Sequence, residues 1–186
     1  MSALPLDERT EAGGPGASPL VGIVMGSDSD WPVMSAARDA LAELGVEAEV
    51  HVSSAHRTPE RTGRLAREAA SRGIQVIVCG AGAAAHLAGV VAAESELPVL
   101  GVPLPASDLQ GLDALLSTAQ MPGGVPVGTL AIGKAGARNA GLLAGRIIAL
   151  GDPAVAAKVR AAREKMAREV EAKDEALQAQ VRAPRE

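Results

Sequence analysis

The stretch Val21-Gly-Ile-Val-Met-Gly-Ser-Asp-Ser-Asp30 decides the fold of this chain. Its first half, Val21 to Met25, is a short apolar run with β-branched residues, which predicts a buried strand. Its second half, Gly26 to Asp30, holds only glycine and small oxygen-bearing side chains, which predicts a tight loop. Asp30 then precedes Trp31-Pro32 and a periodic apolar stretch, a pattern typical of a helix start with Asp30 as the N-cap.

A polar loop between a strand and a helix start is suited to binding an anion. Unpaired backbone N–H groups and the positive end of the helix surround such a loop, and phosphate is the anion that they favour most. An ordinary strand-to-helix connection has the same pattern, so the loop alone leaves both interpretations open. It is not a Walker loop because no Gly-Lys-Ser/Thr follows, and it lacks the spacing of a dinucleotide fingerprint.

Composition bounds the kind of protein that this chain forms. Its 186 residues fit one domain that buries about 70% of its unfolded surface. Hydrophobic residues make up 47% of the chain, yet it has one Trp and no Phe or Tyr, so small aliphatic residues must build the core. The bases of a nucleic acid would have almost no aromatic side chains to stack on. The net charge of −4 also leaves no surplus of positive charge for a phosphate backbone, so we expect no nucleic-acid partner.

Cysteine usage and hydropathy indicate where the protein works. Cys79 is the only cysteine, which excludes an internal disulfide and a cysteine-based zinc site. No apolar run approaches transmembrane length, and the N-terminus lacks the core of a signal peptide. We therefore expect a soluble, cytoplasmic protein with no membrane partner.

Strand and helix patterns alternate five times after a lead-in over residues 1–19, which we expect to be disordered. Helices are expected after each strand, one of them over residues 109–119 behind a capping box of Ser107 and Gln110. Residues 20–151 are thus predicted to form an α/β domain, a flavodoxin-like three-layer sandwich. Its five-stranded parallel sheet should have the order 2-1-3-4-5. The predicted strands cover residues 21–25, 46–53, 74–79, 98–102 and 127–132.

A long helix is predicted at the C-terminus, over residues 152–186. Its apolar stripe consists of Val155, Val159, Met166 and Val170, and charged residues cover the rest. The stripe fits a helix packed on its own domain or one that reaches a neighbouring subunit. We favour a neighbouring subunit, with a frayed helix end, because a five-stranded unit is complete without this helix.

In a sheet of this topology, ligands bind at the carboxyl ends of the strands, where the order reverses between strands 1 and 3. The loops Gly26–Asp30 and Gly80–His86 fall at that point, with Ser54–Arg57 beside them after strand 2. The chemically promising loops therefore converge on one edge of the sheet.

The chain has three histidines, and one of them lies in these loops beside an arginine. His51 falls inside the second strand and is expected to be structural. His56 adjoins Arg57, whose guanidinium is a rigid fork for a phosphate. A lone loop histidine is more often a surface residue, but beside a phosphate-binding arginine it is placed for proton transfer to a nucleotide-like substrate.

Two other segments have weaker signals for ligand binding. Gly80-Ala-Gly82 lets a ligand approach the backbone, whose N–H groups could hold a carboxylate, although tight helix packing explains the glycines equally well. Lys134 is a further candidate phosphate contact, and a capping or subunit-contact role fits it as well. No His, Asp or Glu cluster has metal-ligand spacing, so no metal site is predicted. The residues alone thus predict a small phosphorylated anion and proton transfer by His56.

Six segments, taken together and in this order, resemble one enzyme family. It is the class I N5-carboxyaminoimidazole ribonucleotide mutase family of purine biosynthesis, and the resemblance runs from about Val21 to Leu150. The segments are Met25-Gly-Ser-Asp-Ser-Asp-Trp31, Ser54-Ala-His-Arg-Thr-Pro59, Gly80-Ala-Gly82, Ala84-Ala-His-Leu87, Pro98-Val-Leu-Gly-Val-Pro103 and Gln120-Met-Pro-Gly-Gly-Val-Pro-Val-Gly-Thr-Leu-Ala-Ile-Gly-Lys-Ala-Gly136.

The resemblance implies a reversible carboxylate shift that needs no ATP, metal or redox cofactor. N5-carboxyaminoimidazole ribonucleotide would lose CO2, and ring carbon C4 would then attack it to give the 4-carboxy isomer. His56 would carry the protons, and His86 would support the site from beside the CO2 pocket, which Gly80 to Gly82 would border. The family assembles as a homo-octamer with sites at subunit contacts. The positions implied to bind the nucleotide are Ser27, Asp30, Ser54 and Arg57.

The chain departs from the family pattern at several places. Ala83 stands where a glycine is expected, Ala88 where a proline is expected, and Leu104-Pro105-Ala106 is also unusual. The methyl group of Ala83 would lie near the CO2 pocket, where it would affect rate or substrate fit.

Two rival functions remain open. A related class carboxylates aminoimidazole ribonucleotide directly with CO2, and its loop typically has Lys after the histidine, so Arg57 favours the mutase. A catalytically silent flavodoxin-like module that binds a phosphorylated ligand would keep Ser27 and Arg57 without needing His56.

Overall fold

The computed structural model describes residues 18–182, in which strands and helices alternate along the chain. The strands are β1 (Val21–Met25), β2 (Ala48–Val52), β3 (Val76–Gly82), β4 (Val99–Leu104) and β5 (Gly128–Thr129). The helices are α1 (Trp31–Glu43), α2 (Pro59–Arg67), α3 (Leu87–Glu94), α4 (Leu112–Ala119), α5 (Gly133–Ile148) and α6 (Pro153–Arg182). The lead-in predicted to be disordered, residues 1–19, lies outside the described residues except for its last two positions.

The five strands form one parallel sheet in the order β2-β1-β3-β4-β5, as the sequence predicts. β1 pairs with β2 on one side and with β3 on the other, and Val21 is opposite Ala48 and Val76. All five residues of β1 are buried, which agrees with the apolar run from which the strand was predicted.

Two apolar cores flank the sheet, because successive side chains of each strand point to opposite faces. On β3, Val76 and Val78 pack in the core that contains α1 and α5. Ile77 and Cys79 pack in the other core, with α2 and α3. The sheet with helices on both faces is the predicted three-layer sandwich.

Glycine and alanine let α1 and α5 pack at very short range. A methyl group added at Gly141 would overlap the backbone carbonyl of Ala37, and one at Gly145 would overlap the side chain of Leu44. Close backbone approach thus provides tight packing in a protein that has no Phe or Tyr.

Several element boundaries differ from the prediction. β5 is only two residues long, with Pro126, which has no N–H for strand pairing, two residues before it. β3 continues through Gly82, so the glycines predicted to lie in a loop belong to a strand.

The predicted capping box ahead of α4 is wrong. The N-cap is Gly111, in the left-handed region at φ 90°, and no side chain caps it. Ser107 instead donates a 2.6 Å hydrogen bond to Asp113 and accepts one from the N–H of Leu109. Because Gln110 also adopts a positive φ, 50°, the chain turns twice before the helix begins.

Helix α6 packs on the core of its own domain for about three turns and extends away from it after that. Val155 is buried, and Val159 and Ala162 are half-buried against the core. Farther along, Met166 and Val170 are 43% and 65% exposed. None of the helices in residues 18–182 combines the length and apolar character needed to cross a membrane.

The α1–α5 contact gives the first prediction. Gly141→Ala should lower the free energy of unfolding by about 1–3 kcal/mol in urea denaturation, because the added methyl group forces two backbones apart. Gly151→Ala is the matched control, since nothing lies within 4 Å of a methyl group there. Equal stability of the two variants would contradict this account of the helix contact.

Candidate active site

The loops after β1, β2 and β3 enclose an open cleft of about 390 Å³ at the carboxyl edge of the sheet. It lies beside β1, where the strand order reverses, as predicted for this topology. The residues that line it come from three segments: Gly26, Ser27, Ser29 and Asp30; Ser54–Arg57; and Ala81–Ala84 with His86 and Leu87. The structure thereby brings the three candidate loops together.

The first loop is a short 3₁₀ turn, Asp28–Asp30, which is held by a reciprocal capping box. The hydroxyl of Ser27 accepts a hydrogen bond from the N–H of Ser29 at 3.3 Å. The carboxylate of Asp30 accepts one from the N–H of Ser27 at 3.1 Å. Asp30 is the N-cap of α1, as predicted, but its side chain makes no capping hydrogen bond to that helix, because the carboxylate turns back toward Ser27.

The environment of Asp30 disfavours its charged form. Burial raises the pKa of this carboxyl above its ordinary value of 3.8, while the N–H of Ser27 and the guanidinium of Arg57 oppose the shift. A half-buried carboxyl at the cleft wall is suited to hydrogen bonding with a hydroxyl group of a ligand.

Arg57 ties the loops after β1 and β2 together. Its Nη2 donates a 2.9 Å hydrogen bond to the carbonyl of Gly26. Its Nε donates to the hydroxyl of Ser54 at 3.4 Å. These contacts orient the guanidinium at the cleft wall, where its remaining donors suit a bidentate anion.

His56 and His86 form a hydrogen-bonded pair in the cleft. His56 Nε2 lies 2.9 Å from His86 Nδ1, and the rings meet edge to face at 78° with centroids 5.0 Å apart. One nitrogen must donate and the other accept, so the pair shares a single proton along this bond. His56 is therefore held by a second titratable group rather than exposed alone on a loop.

Not every predicted site residue reaches the cleft. Gly80 does not line it: Gly80 is buried in β3, where a methyl group would overlap Met34. Gly82 does line the cleft and packs closely against Ala106.

Two further candidates lie away from the cleft. Lys134 is exposed at the start of α5 and is not a lining residue. His51 lies on β2, with its Nε2 3.3 Å from Glu49, outside the cleft.

Sequence reasoning gave no site role to several residues that line the cleft, and Ser29 and Ala106 are two of them. Ser29 lies in the 3₁₀ turn, and Ala106 follows β4. The available signal for Ala106 was its position just after a strand that neighbours β3. Within residues 18–182, no group of three His, Cys, Asp or Glu side chains is placed to bind a metal.

The sheet order and the cleft define a flavodoxin-like α/β protein whose switch point holds a cleft lined by Arg57 and a histidine pair. The sequence profile of the AIR carboxylase family matches residues 20–169, and the chain belongs to that family.

Curated relatives carry a more specific name. The chain is 56% identical over 163 residues to N5-carboxyaminoimidazole ribonucleotide mutase from Mycobacterium tuberculosis. The aligned residues cover 88% of this chain and 92% of the relative. It is 52% identical over 160 residues to the protein of the same name from Thermotoga maritima, with 86% and 92% covered.

Among solved structures, Treponema denticola PurE matches with a TM-score of 0.78 and 29% identity. The match covers 86% of this chain and 98% of that one.

The raised pKa of Asp30 predicts a pH dependence of stability. A carboxyl whose pKa is raised by folding contributes stability at low pH that is lost as the pH rises from 3.8 through the folded value. Asp30→Asn keeps the acceptor for Ser27 but does not titrate. The unfolding free energy of wild type relative to this variant should therefore fall as the pH rises above about 4 in urea melts. A difference that rises with pH would contradict the assigned shift.

Proposed function

We propose that this protein is an N5-carboxyaminoimidazole ribonucleotide mutase of de novo purine biosynthesis. The observation that carries the proposal is the His56-Arg57 loop, which faces His86 and Gly82 across one cleft. The names of the relatives support the substrate, and Arg57, rather than lysine, after the histidine favours the mutase over the direct carboxylase.

The nucleotide end of the substrate would bind at the loops after β1 and β2. Arg57 provides a cationic fork that Ser54 and Gly26 already orient, and Ser27 and Ser54 add hydroxyl donors for a phosphate. The half-buried carboxyl of Asp30 would accept hydrogen bonds from ribose hydroxyls. These contacts hold the nucleotide while the carboxylate moves at the far end of the cleft.

The carboxylate would move by way of free CO2. The bond from the exocyclic nitrogen to the carboxylate carbon breaks, and the nitrogen keeps the electron pair and gains a proton. Ring carbon C4 then bonds to the CO2 carbon and loses its proton. Substrate and product are isomers of equal oxidation state, so we propose a reaction without ATP, metal or redox cofactor.

His56 would carry both protons of this sequence, and its bond to His86 provides a place for one proton between the steps. The Gly82–Ala83 backbone would border the CO2, which must not escape before C4 attacks it. The side chains that line this end of the cleft are small: Ala81, Gly82, Ala83 and Ala84.

The decisive assay mixes the purified protein with N5-carboxyaminoimidazole ribonucleotide in the absence of ATP, bicarbonate and added metal. We expect conversion to the C4-carboxylated isomer, with EDTA making no difference. Turnover only of aminoimidazole ribonucleotide with CO2 would assign the protein to the carboxylating class. Nucleotide binding without any turnover would indicate the silent module.

A substitution at His56 tests its role. His56→Asn keeps a polar side chain but removes the titratable group, so turnover should fall by about 10²–10⁴-fold while substrate affinity changes far less. His51→Asn is the matched control, because His51 lies outside the cleft. Near wild-type turnover by His56→Asn, measured alongside that control, would exclude proton transfer by this residue.

We also propose that the protein is a cytoplasmic homo-octamer in which the C-terminal helix, beyond its first turns on the chain's own core, packs on neighbouring subunits. The support for this proposal is the part of α6 beyond Ala162, where four large apolar side chains are exposed in the described chain: Met166, Val170, Leu177 and Val181. A helix with such a stripe is stabilised in water by burying it against another surface.

Charges placed on that stripe should disrupt assembly. Val170→Glu combined with Leu177→Glu should lower the mass measured by light scattering, because carboxylates would be buried at the contact. Ala172→Glu combined with Ala179→Glu adds the same charges, seven residues apart, on the opposite helix face and should leave the mass unchanged. A monomer mass for the wild-type protein at micromolar concentration would contradict the proposed octamer.

A further inference from the structure

The turn between β3 and α3, Ala83–His86, is held in an unfavourable backbone conformation. Ala83 has a φ of 51°, in the left-handed region that glycine adopts readily and alanine does not. Two tight hydrogen bonds follow, from the N–H of Ala85 to the carbonyl of Ala83 and from the N–H of His86 to the carbonyl of Ala84, both 2.8 Å. An alanine stays in this conformation only where other contacts hold it.

One such contact comes from helix α4. The hydroxyl oxygen of Ser117 accepts a 3.1 Å hydrogen bond from the N–H of Ala85. The same hydroxyl donates back to its own helix, at 2.9 Å to the carbonyl of Asp113. Ser117 thus connects a regular helix to the strained turn, although it does not line the cleft.

The turn controls the position of His86. His86 is its last residue and the N-cap of α3, and its Nδ1 is the atom that meets His56. Movement of the Ala83–His86 backbone would therefore change the distance and angle of the bond between the imidazoles.

We propose that Ser117 is a positioning residue, which holds the Ala83–His86 turn in its left-handed conformation and thereby sets the hydrogen bond between His86 and His56. Its effect on turnover rests on the proposed mutase function, while its effect on the histidine pair does not. Ser117 acts through the turn and touches neither substrate nor reacting atoms. In the described part of the chain, its hydrogen bonds go to the turn and to its own helix, and none goes to the loops after β1 and β2.

Kinetics of Ser117→Ala provide the first test. With the turn released, kcat should fall about tenfold with KM within about twofold, because the histidine pair is disturbed and the nucleotide contacts are not. Ser95→Ala is the matched control, since Ser95 also accepts a backbone N–H, from Leu97 at 3.2 Å, but lies at the far end of α3. Ser117→Ala with the kcat of the wild type and of Ser95→Ala would overturn the proposal.

A second variant tests whether strain is the reason. In an Ala83→Gly background the turn needs no support, so adding Ser117→Ala should cost less than about twofold in kcat relative to Ala83→Gly alone. An equal tenfold loss in both backgrounds would overturn the proposal. If Ser117→Ala alone cannot be purified, the double variant and Ala83→Gly decide the question by the same criterion.

A spectroscopic readout separates this inference from the proposed function. The chain has three histidines, so selective labelling of their rings and the His51→Asn variant allow the signals to be assigned. The nuclear Overhauser effect between the His56 and His86 rings should be present in wild type, weakened in Ser117→Ala and restored in the double variant. An undiminished effect in Ser117→Ala would overturn the proposal, and wild type without turnover would overturn only the mutase function.

Discussion

The central position of β1 is the constraint on which the rest of the structure depends. β1 hydrogen-bonds to β2 on one side and to β3 on the other, with all three strands parallel. Each strand end then delivers its loop to the same edge, and the crossovers to either side leave a gap above β1. Three loops of ordinary composition become one cleft for this reason alone.

Within the cleft, the arginine and the histidine pair occupy different places. Arg57 joins the loops after β1 and β2 and carries a positive charge at the cleft wall. His56 belongs to the same loop but turns toward the β3 side, where it meets His86. Under the proposed mutase function, the nucleotide end of the substrate would lie beside Arg57, and its base would face the histidine pair.

Small residues perform two different tasks in this chain. Between α1 and α5, Gly141 and Gly145 allow a helix contact that larger side chains would prevent. At the cleft, Gly82 and Ala83 form part of the wall, and Ala83 accepts a left-handed backbone that a glycine would adopt without strain. Composition alone does not distinguish these uses, because the same residue types serve helix packing in one place and the cleft wall in another.

The sequence by itself determined the alternation of elements, the strand order and the convergence of three loops, because buried parallel strands and helix starts leave strong local patterns. It also predicted, from residue type and topology, that His56 and Arg57 lie at the site, and both line the cleft. Tertiary structure alone decided that Gly80 packs on Met34 while Gly82 lines the cleft. The structure also showed that the carboxylate of Asp30, the N-cap of α1, bonds back to Ser27 instead of capping the helix. The His56–His86 bond spans 30 residues and the Ser117–Ala85 bond spans 32, and contacts so distant along the chain depend on how layers pack rather than on local sequence.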